Sequence, residues 1–545
     1  MKMGIAMNNL RTLAKRIGLQ GFLLAIALPL PIIIVLAAGL FARNHYFTGC
    51  LENIHDQNIY FSFIRQARDG FFFFINAPCH IPHDREYLNF TFLIIGMVSR
   101  FSGLSMEASY ILSSYVFSVA VCLCLCLLFT GIFENRKVAL TGLCIAWLGA
   151  GFGVFYKVFG MITGTAIDKA NMTSASGDLW MPEMTVWHSA GYSPLFISSY
   201  LMLLLAYGGI WVAESREKFW PLVISSAAIF YLALSHSYDI IPAAMISFFM
   251  FALFRFEKKK LLPPPPILAG YVLFAVGLIG GTLYQYHVLK TNPGFLAWAA
   301  QNVNRSPGFH MILAGFGVLS LGYIEILLMI FVDRKKLDIP AKILGFWLVF
   351  QTILLYSPFP FSRRFILGII IPLAVFFTFF LIRLWRRGIP SKICATILLL
   401  AVPLTFVYQT AANAGKFAAR DSRYFYGKSA TEAYSAMSSL KQNDVVMGSL
   451  EESNCIMRFC PAQMACASTQ QSAPGMRESI ENIFSGNIGA KDMDAFMKNN
   501  RITCLFLNKK AQSVFISAVP DFLLRKNLFF ENDGYIIYKV GENGL

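Results

Sequence analysis

Asn53-Ile-His-Asp-Gln-Asn-Ile-Tyr-Phe-Ser-Phe-Ile-Arg-Gln-Ala-Arg-Asp69-Gly70 follows directly on an apolar run over 20–42. That run is long enough to cross a bilayer, for which about 20 apolar residues suffice. The stretch after it is polar, charged and aromatic. At helical spacing Asn58, Ser62, Arg65 and Asp69 share one face, and Ile59, Tyr60, Phe63, Ile64 and Ala67 share the other. The pattern predicts a short helix lying in the membrane interface. Asp56 opens it. The residue is an ordinary N-cap type, and it is also a carboxylate at a membrane surface, suited to take a proton from an attacking hydroxyl. The two readings are compatible, since a capped carboxylate is a positioned one.

Working outward, 56% of the 545 residues are hydrophobic and 14% charged, against roughly 45–50% and 25% in soluble domains. The chain therefore reads as a polytopic membrane protein. Further spans are predicted at 109–132, 138–159, 193–213, 219–235, 239–255, 266–287, 311–332, 340–357, 364–382 and 392–411, eleven in all with the first. The spans at 219–235 and 239–255 are short and are kept apart at Ser235-His-Ser-Tyr-Asp239. A net charge of +16 would suit nucleic acid, but the lysines and arginines sit in short clusters between apolar runs, with no RNP, zinc-finger or helix-turn-helix signature. Charge placed in that way sets topology instead. The clusters are Lys2 with Arg11, Lys15 and Arg16, then Arg136-Lys137, Arg255 with Lys258 to Lys260, Arg334 to Lys336, and Arg383, Arg386 and Arg387 with Lys392. They fall on alternate connections, so the N-terminus is expected in the cytoplasm. The long connections 43–108, 160–192 and 288–310, and the tail, are then expected outside.

Composition changes in that tail. The division expected is a membrane domain over 1–425 and a soluble domain over 426–545. Asp444-Val-Val-Met447 and Ile502-Thr-Cys-Leu-Phe-Leu507 read as buried strands, with helices near 475–485 and 491–499 between them. Residues 527–531 and 535–540 flank Asn532-Asp533-Gly534, a hairpin signal. A small α/β domain follows. Of the eleven cysteines, Cys50, Cys79, Cys455, Cys460, Cys466 and Cys504 belong to outer segments, where an oxidising compartment would permit disulfides. Cys50 with Cys79 is the first pairing to expect.

Several outer residues are candidates for chemistry. Asp168, Asp178 and Glu183 lie in the second outer connection, and each alone could be a solvated loop acid. Glu183, however, sits in Trp180-Met-Pro-Glu-Met-Thr-Val-Trp187, followed by His188 and Tyr192-Ser-Pro-Leu-Phe196. Aromatic faces beside a carboxylate suit sugar rings. His236, Tyr238 and Asp239 occupy a tight outer turn, where ionisable groups are costly unless exposed or functional. Arg363 and Arg364 break the positive-inside trend, as an interfacial anchor or as a bidentate phosphate clamp, with Arg305 in the third outer connection a weaker candidate for the same role. Arg65 and His188 complete the substrate-binding candidates. A metal site among His55, His80 and His83 with Asp56 or Asp84 is conceivable for zinc or manganese, although the spacings match no standard site.

The layout resembles the GT-C superfamily of integral-membrane glycosyltransferases, which includes protein O-mannosyltransferases and aminoarabinose transferases. The likeness lies in the acidic stretch around Asp56 and its helix ending at Gly70, Glu183 ahead of Tyr192-Ser-Pro-Leu-Phe196, Leu234-Ser-His-Ser-Tyr238, and Ser362-Arg-Arg-Phe-Ile-Leu-Gly368. Their order along the spans carries more weight than any one of them. The resemblance implies a mainly α, GT-C-like bundle with an extracytoplasmic α/β tail, in a bacterial inner membrane. It implies a polyprenyl-phosphate-linked sugar as donor and a glycan, lipid or protein as acceptor. In those terms Asp56 deprotonates the acceptor hydroxyl as it attacks the anomeric carbon with inversion. Arg363 and Arg364, with Arg305, stabilise the departing phosphate. Glu183 and His236 orient the acceptor or hold a metal, Mg or Mn. Two other classes stay open, a lipid-linked oligosaccharide flippase and a non-catalytic envelope assembly factor. Spans nearly free of acids and bases argue against transport through the midplane.

Overall fold

The computed structural model describes residues 10–164, 176–333, 337–467, 475–487, 490–518 and 526–540. Asp168, Lys2 and the Arg334 to Lys336 cluster lie outside the described residues, as do the side chains of Arg11, Lys15 and Arg16. Eight of the eleven expected spans are helices long and apolar enough to cross a membrane, among them Ile17–Gly39, Pro194–Arg216 and Ser362–Trp385. The chain is an integral membrane protein with a mainly helical, polytopic fold. Two of the other three expected spans, Trp220–Ser235 and Ile339–Leu354, are separate helices of 16 residues. At 1.5 Å per residue each reaches only about 24 Å, short of the ~30 Å hydrocarbon core.

The chain divides into two compact units. The first comprises Met1–Val35, Ile111–Leu283 and Val303–Lys416, and the second Leu36–Tyr110, Tyr284–Asn302 and Phe417–Leu545. Within the first unit the expected span at 138–159 is broken. Helices Arg136–Leu148 and Gly153–Thr163 meet at 48°. Gly149-Ala-Gly-Phe152 cannot continue a helix there because its backbone is bonded elsewhere. Asp178 Oδ2 accepts from the amides of Gly151 at 2.8 Å and Gly153 at 3.3 Å. The Phe152 amide donates to Ala314 O at 2.8 Å, and Thr405 Oγ1 donates to Gly151 O at 2.9 Å. Non-helical backbone at membrane depth survives only when protein groups satisfy it. Asp178 is thus a buried staple rather than a solvated loop acid, and burial pushes its carboxyl up against the hydrogen bonds from Ser176 and the Gly151 amide. A Cβ on Gly151 would come within 2.2 Å of Ala314 O, and backbone cannot yield as a side chain can. Gly151→Ala is therefore expected to destabilise the protein by about 1–3 kcal/mol, read as a lowered midpoint in thermal unfolding.

Two cation clusters read as loop charges are partly internal. Arg255 is buried and pairs with Glu214, whose Oε1 also accepts from Tyr271 OH at 2.9 Å. Arg383 binds Glu325 at 2.7 Å and Asp333 at 2.8 Å.

The second unit holds a mixed five-stranded sheet. Its order is Gln463–Met464, Val445–Met447, Cys504–Asn508, Tyr535–Lys539, Asn527–Glu531. The first two pairings are parallel and the last two antiparallel. In the hairpin Asn532 Oδ1 accepts from the amides of Gly534 at 3.1 Å and Tyr535 at 3.0 Å, the turn chemistry that the sequence carries there. Helices Met476–Phe484 and Ala490–Asn499 lie between strands in sequence, as expected. A short antiparallel pair joins His45–Phe47 to Phe425–Gly427.

Ile54–Arg68 is a helix, but not one with a wet polar face. Asn58, Ser62 and Arg65 are buried, because helix Leu450–Phe459 of the tail packs on it. The Arg458 guanidinium lies 3.7 Å over the Phe61 ring and 3.8 Å from Glu107, and Asn454 Nδ2 donates to His55 Nδ1 at 2.5 Å. All eleven cysteines are free thiols, so the Cys50–Cys79 bridge is not formed. Burial raises both thiols, Cys79 to about 11.

Candidate functional site

In the first unit a turn starting at Pro182 buries the Glu183 side chain completely. Tyr200 OH fixes the turn by donating to Glu183 O at 2.8 Å. Arg364 Nη1 donates to Glu183 Oε1, while Oε2 has no hydrogen-bond partner among the described residues. Burial alone would raise this carboxyl. The cations outweigh it, Arg364 first, then Arg363 and His236, and hold Glu183 down at about 2. It is an anion at neutral pH and poorly matched to proton uptake there, which is best served by a value near the working pH.

Glu183 serves instead to fix Arg364. That guanidinium lies 5.8 Å from the Phe196 ring centre and 5.9 Å from that of Tyr238. Arg363 lies 5.2 Å from the Trp180 ring. Both arginines come from the turn Ser362–Ile366. That turn is tied to the third connection, since the Arg363 amide donates to Asn304 O at 3.0 Å and the Asn304 amide to Pro360 O at 2.7 Å. The pairing brings the backbone of Arg305 beside that of Arg363, and the Arg305 residue is exposed.

His236 and Asp239 are both buried, with Nδ1 and Oδ2 2.8 Å apart. The carboxylate accepts, which puts a proton on Nδ1 and fixes the ring. Phe196 and Tyr238 meet that ring edge-on at 5.3 and 5.5 Å. His188 is buried, stacked on Trp187 at 5.1 Å and edge-on to Tyr192 at 6.3 Å. The structure therefore gathers Glu183, His188, His236, Tyr238 and Arg364 around one aromatic set, with Arg363 beside Trp180. Asp239, placed by the sequence in the same outer turn, is the partner of the His236 ring, a pairing that the sequence reading did not draw. Its signal was the three-residue spacing from His236 at a helix start.

Asp56 and Arg65 belong to the second unit. Asn53, not Asp56, is the N-cap, held at φ 40°, ψ 60°. Asp56 lies in the first turn, half-buried, and its Oδ2 accepts from Asn53 Nδ2 at 2.6 Å. A carboxylate there also interacts favourably with the helix dipole. Arg65 is committed to Asp69 at 3.2 Å, and burial lowers its guanidinium value despite that acid.

The first-loop histidines do not fit a metal site. His83 uses both nitrogens, Nε2 accepting from the Asn76 amide at 2.9 Å and Nδ1 donating to Ile81 O at 2.7 Å. His80 Nδ1 lies 3.2 Å from Ala465 O. Among the described residues no group of three or more His, Cys, Asp or Glu side chains is placed to hold an ion.

No protein-family model and no curated protein matches the sequence. Solved structures do. The chain is similar to the Archaeoglobus fulgidus oligosaccharyltransferase in complex with Zn and sulfate, at 13% identity and a TM-score of 0.54, over 95% of this chain and 73% of that one. It is similar to AglB from the same organism in complex with an inhibitory peptide and a dolichol-phosphate, at 12% identity and a TM-score of 0.51, over 97% and 74%. It is also similar to ArnT from Cupriavidus metallidurans bound to undecaprenyl phosphate, at 12% identity and a TM-score of 0.52, over 95% and 98%. What is shared at these identities is the fold alone.

Proposed function

We propose that the protein is a membrane glycosyltransferase that moves a sugar from a polyprenyl-phosphate-linked donor to an envelope glycan, lipid or protein acceptor, with inversion. The observation that carries this reading is the arginine pair among aromatic rings, one arginine locked by a buried carboxylate. Such a clamp suits a phosphate, and the fold is shared with proteins bound to dolichol-phosphate and undecaprenyl phosphate. In this reading Asp56 takes the proton from the acceptor hydroxyl as its oxygen bonds to the anomeric carbon. The bond from that carbon to the phosphate oxygen breaks, and Arg363 and Arg364 meet the charge that develops there. Glu183 positions Arg364, and Asp239 positions His236. The N-terminus is taken as cytoplasmic, and residues 426–545 as the extracytoplasmic part.

The test is transfer in proteoliposomes supplied with a polyprenyl-phosphate-linked hexose or pentose. With an envelope glycan, lipid or protein fraction added as acceptor, the sugar should pass from its carrier to an acceptor hydroxyl and free polyprenyl phosphate should accumulate. Passage of the intact carrier across the bilayer would replace this reading with transport. Because His55, His80 and His83 each bond to a protein group, Asp56 is taken to act as a bare base, and transfer is expected to persist after EDTA. Loss in EDTA with recovery in Mg or Mn would assign Asp56 a cation.

A further inference from the structure

His236 and Asp239 are joined through their backbone as well as their side chains. Helix Trp220–Ser235 ends where the His236 amide donates to Leu232 O at 2.9 Å, and the Asp239 amide donates back to His236 O at 3.1 Å. This tight turn presets the Nδ1–Oδ2 contact of 2.8 Å. With the Nδ1 proton given to a buried carboxylate, Nε2 of the neutral ring carries a lone pair and no proton. That nitrogen has no protein partner among the described residues. Unlike Glu183 Oε2, which is unpartnered and sealed, it keeps contact with solvent although His236 is only 4% exposed. Water can satisfy it in the free protein, and a molecule that displaces the water must offer it a donor.

The surroundings say which donor. Phe196 and Tyr238 flank the His236 ring at 5.3 and 5.5 Å, and the same two rings lie 5.8 and 5.9 Å from the Arg364 guanidinium. A molecule held at Arg364 by its phosphate therefore brings the atoms next to that phosphate toward His236. Phosphate oxygens offer only lone pairs and do not suit an unprotonated Nε2 above the Asp239 carboxylate. On a glycosyl phosphate the adjoining atoms are those of the sugar. Its hydroxyls donate to an imidazole lone pair, and its C–H edges pack against aromatic rings.

We propose that His236 Nε2 accepts a hydrogen bond from a hydroxyl of the donor sugar close to the phosphate, and so selects donors that carry that hydroxyl. Asp239 is the positioning residue for this contact. The proposal rests on the reading that the arginine pair holds the donor phosphate.

The test measures displacement of radiolabelled undecaprenyl phosphate from the full-length protein in nanodiscs. The competitors are undecaprenyl phosphate esters of glucose, mannose, galactose and arabinose, then each monodeoxy form of whichever sugar binds most tightly. One monodeoxy form should bind wild type about 5–100-fold more weakly than its parent, the cost of leaving one buried hydrogen-bonding group unanswered. The ratio is taken within each protein, so a general loss of affinity cancels. In His236→Phe, which keeps a ring between Phe196 and Tyr238 and removes the acceptor, the ratio should fall to one. His236→Gln, whose amide can reach the place of Nε2, should restore part of it, which a purely structural role would not do. No binding of bare undecaprenyl phosphate to wild type would overturn the phosphate clamp and this proposal together. Binding of the bare lipid with no monodeoxy effect in wild type, or with the same effect in His236→Phe, would overturn this proposal alone. Should His236→Phe fail to insert, an unchanged ratio in His236→Gln overturns it and a reduced one supports it.

Discussion

Asp56→Asn is expected to lower sugar transfer by roughly 10²–10⁴-fold, the range for removing a general base, while leaving the protein inserted and folded. The substitution is nearly isosteric. The Asn carbonyl still accepts from Asn53 Nδ2, so the first turn of the Ile54–Arg68 helix keeps its shape. What is lost structurally is one charge near the helix N-terminus, worth about 0.3–1 kcal/mol. Single-turnover transfer measured beside thermal unfolding separates the two effects. Full activity in an inserted Asp56→Asn protein removes Asp56 from the chemistry.

Glu183→Gln acts through Arg364. With the carboxylate gone, a guanidinium only 15% exposed keeps its charge and loses its counter-ion. Breaking one side of a buried pair costs about 3–5 kcal/mol. The double variant Glu183→Gln/Arg364→Gln should recover part of that stability, since no unpaired charge remains, but transfer should stay lost because the phosphate clamp is halved. Non-additivity of that kind identifies a coupled pair. The pH dependence follows from the depressed carboxyl, about 2 when folded against 4.5 when free. The stabilisation is complete above about pH 4.5 and disappears as pH falls toward 2, amounting to about 3 kcal/mol. Between pH 5 and 8 that contribution is constant, so the pH dependence of the melting temperature there should owe nothing to Glu183. The Gln variant should show a shallower acid limb below pH 4.5, and an equally steep limb would mean that Glu183 is not the group titrating.

Hydropathy located the spans because twenty apolar residues have few other uses, and the tail strands stood out by their short apolar runs between turn residues. The break at Gly149-Ala-Gly-Phe152 was hidden, since a window average is blind to where backbone hydrogen bonds go and Asp178 arrives from a distant segment. The polar face of Ile54–Arg68 was misplaced for a related reason. A helix between lipid and water and a helix between two protein layers have the same periodicity, and its covering helix Leu450–Phe459 comes roughly 390 residues later. At the candidate site the charges were legible because Glu183, Arg363 and Arg364 interrupt apolar or aromatic surroundings. Their pairing was not, since a contact across 181 residues leaves no mark in either local stretch.

The strand pair His45–Phe47 with Phe425–Gly427, together with the helix packing beside it, sets an order of events during synthesis. Some 380 residues separate the two strands, so at about 5–20 residues per second the early segment waits roughly 20–75 s for its partner. Throughout that interval Asn58, Ser62 and Arg65 have no protein cover. A chain halted before about residue 450 would carry membrane helices already inserted and an early loop still unfinished, which makes that loop the natural target of quality-control proteases.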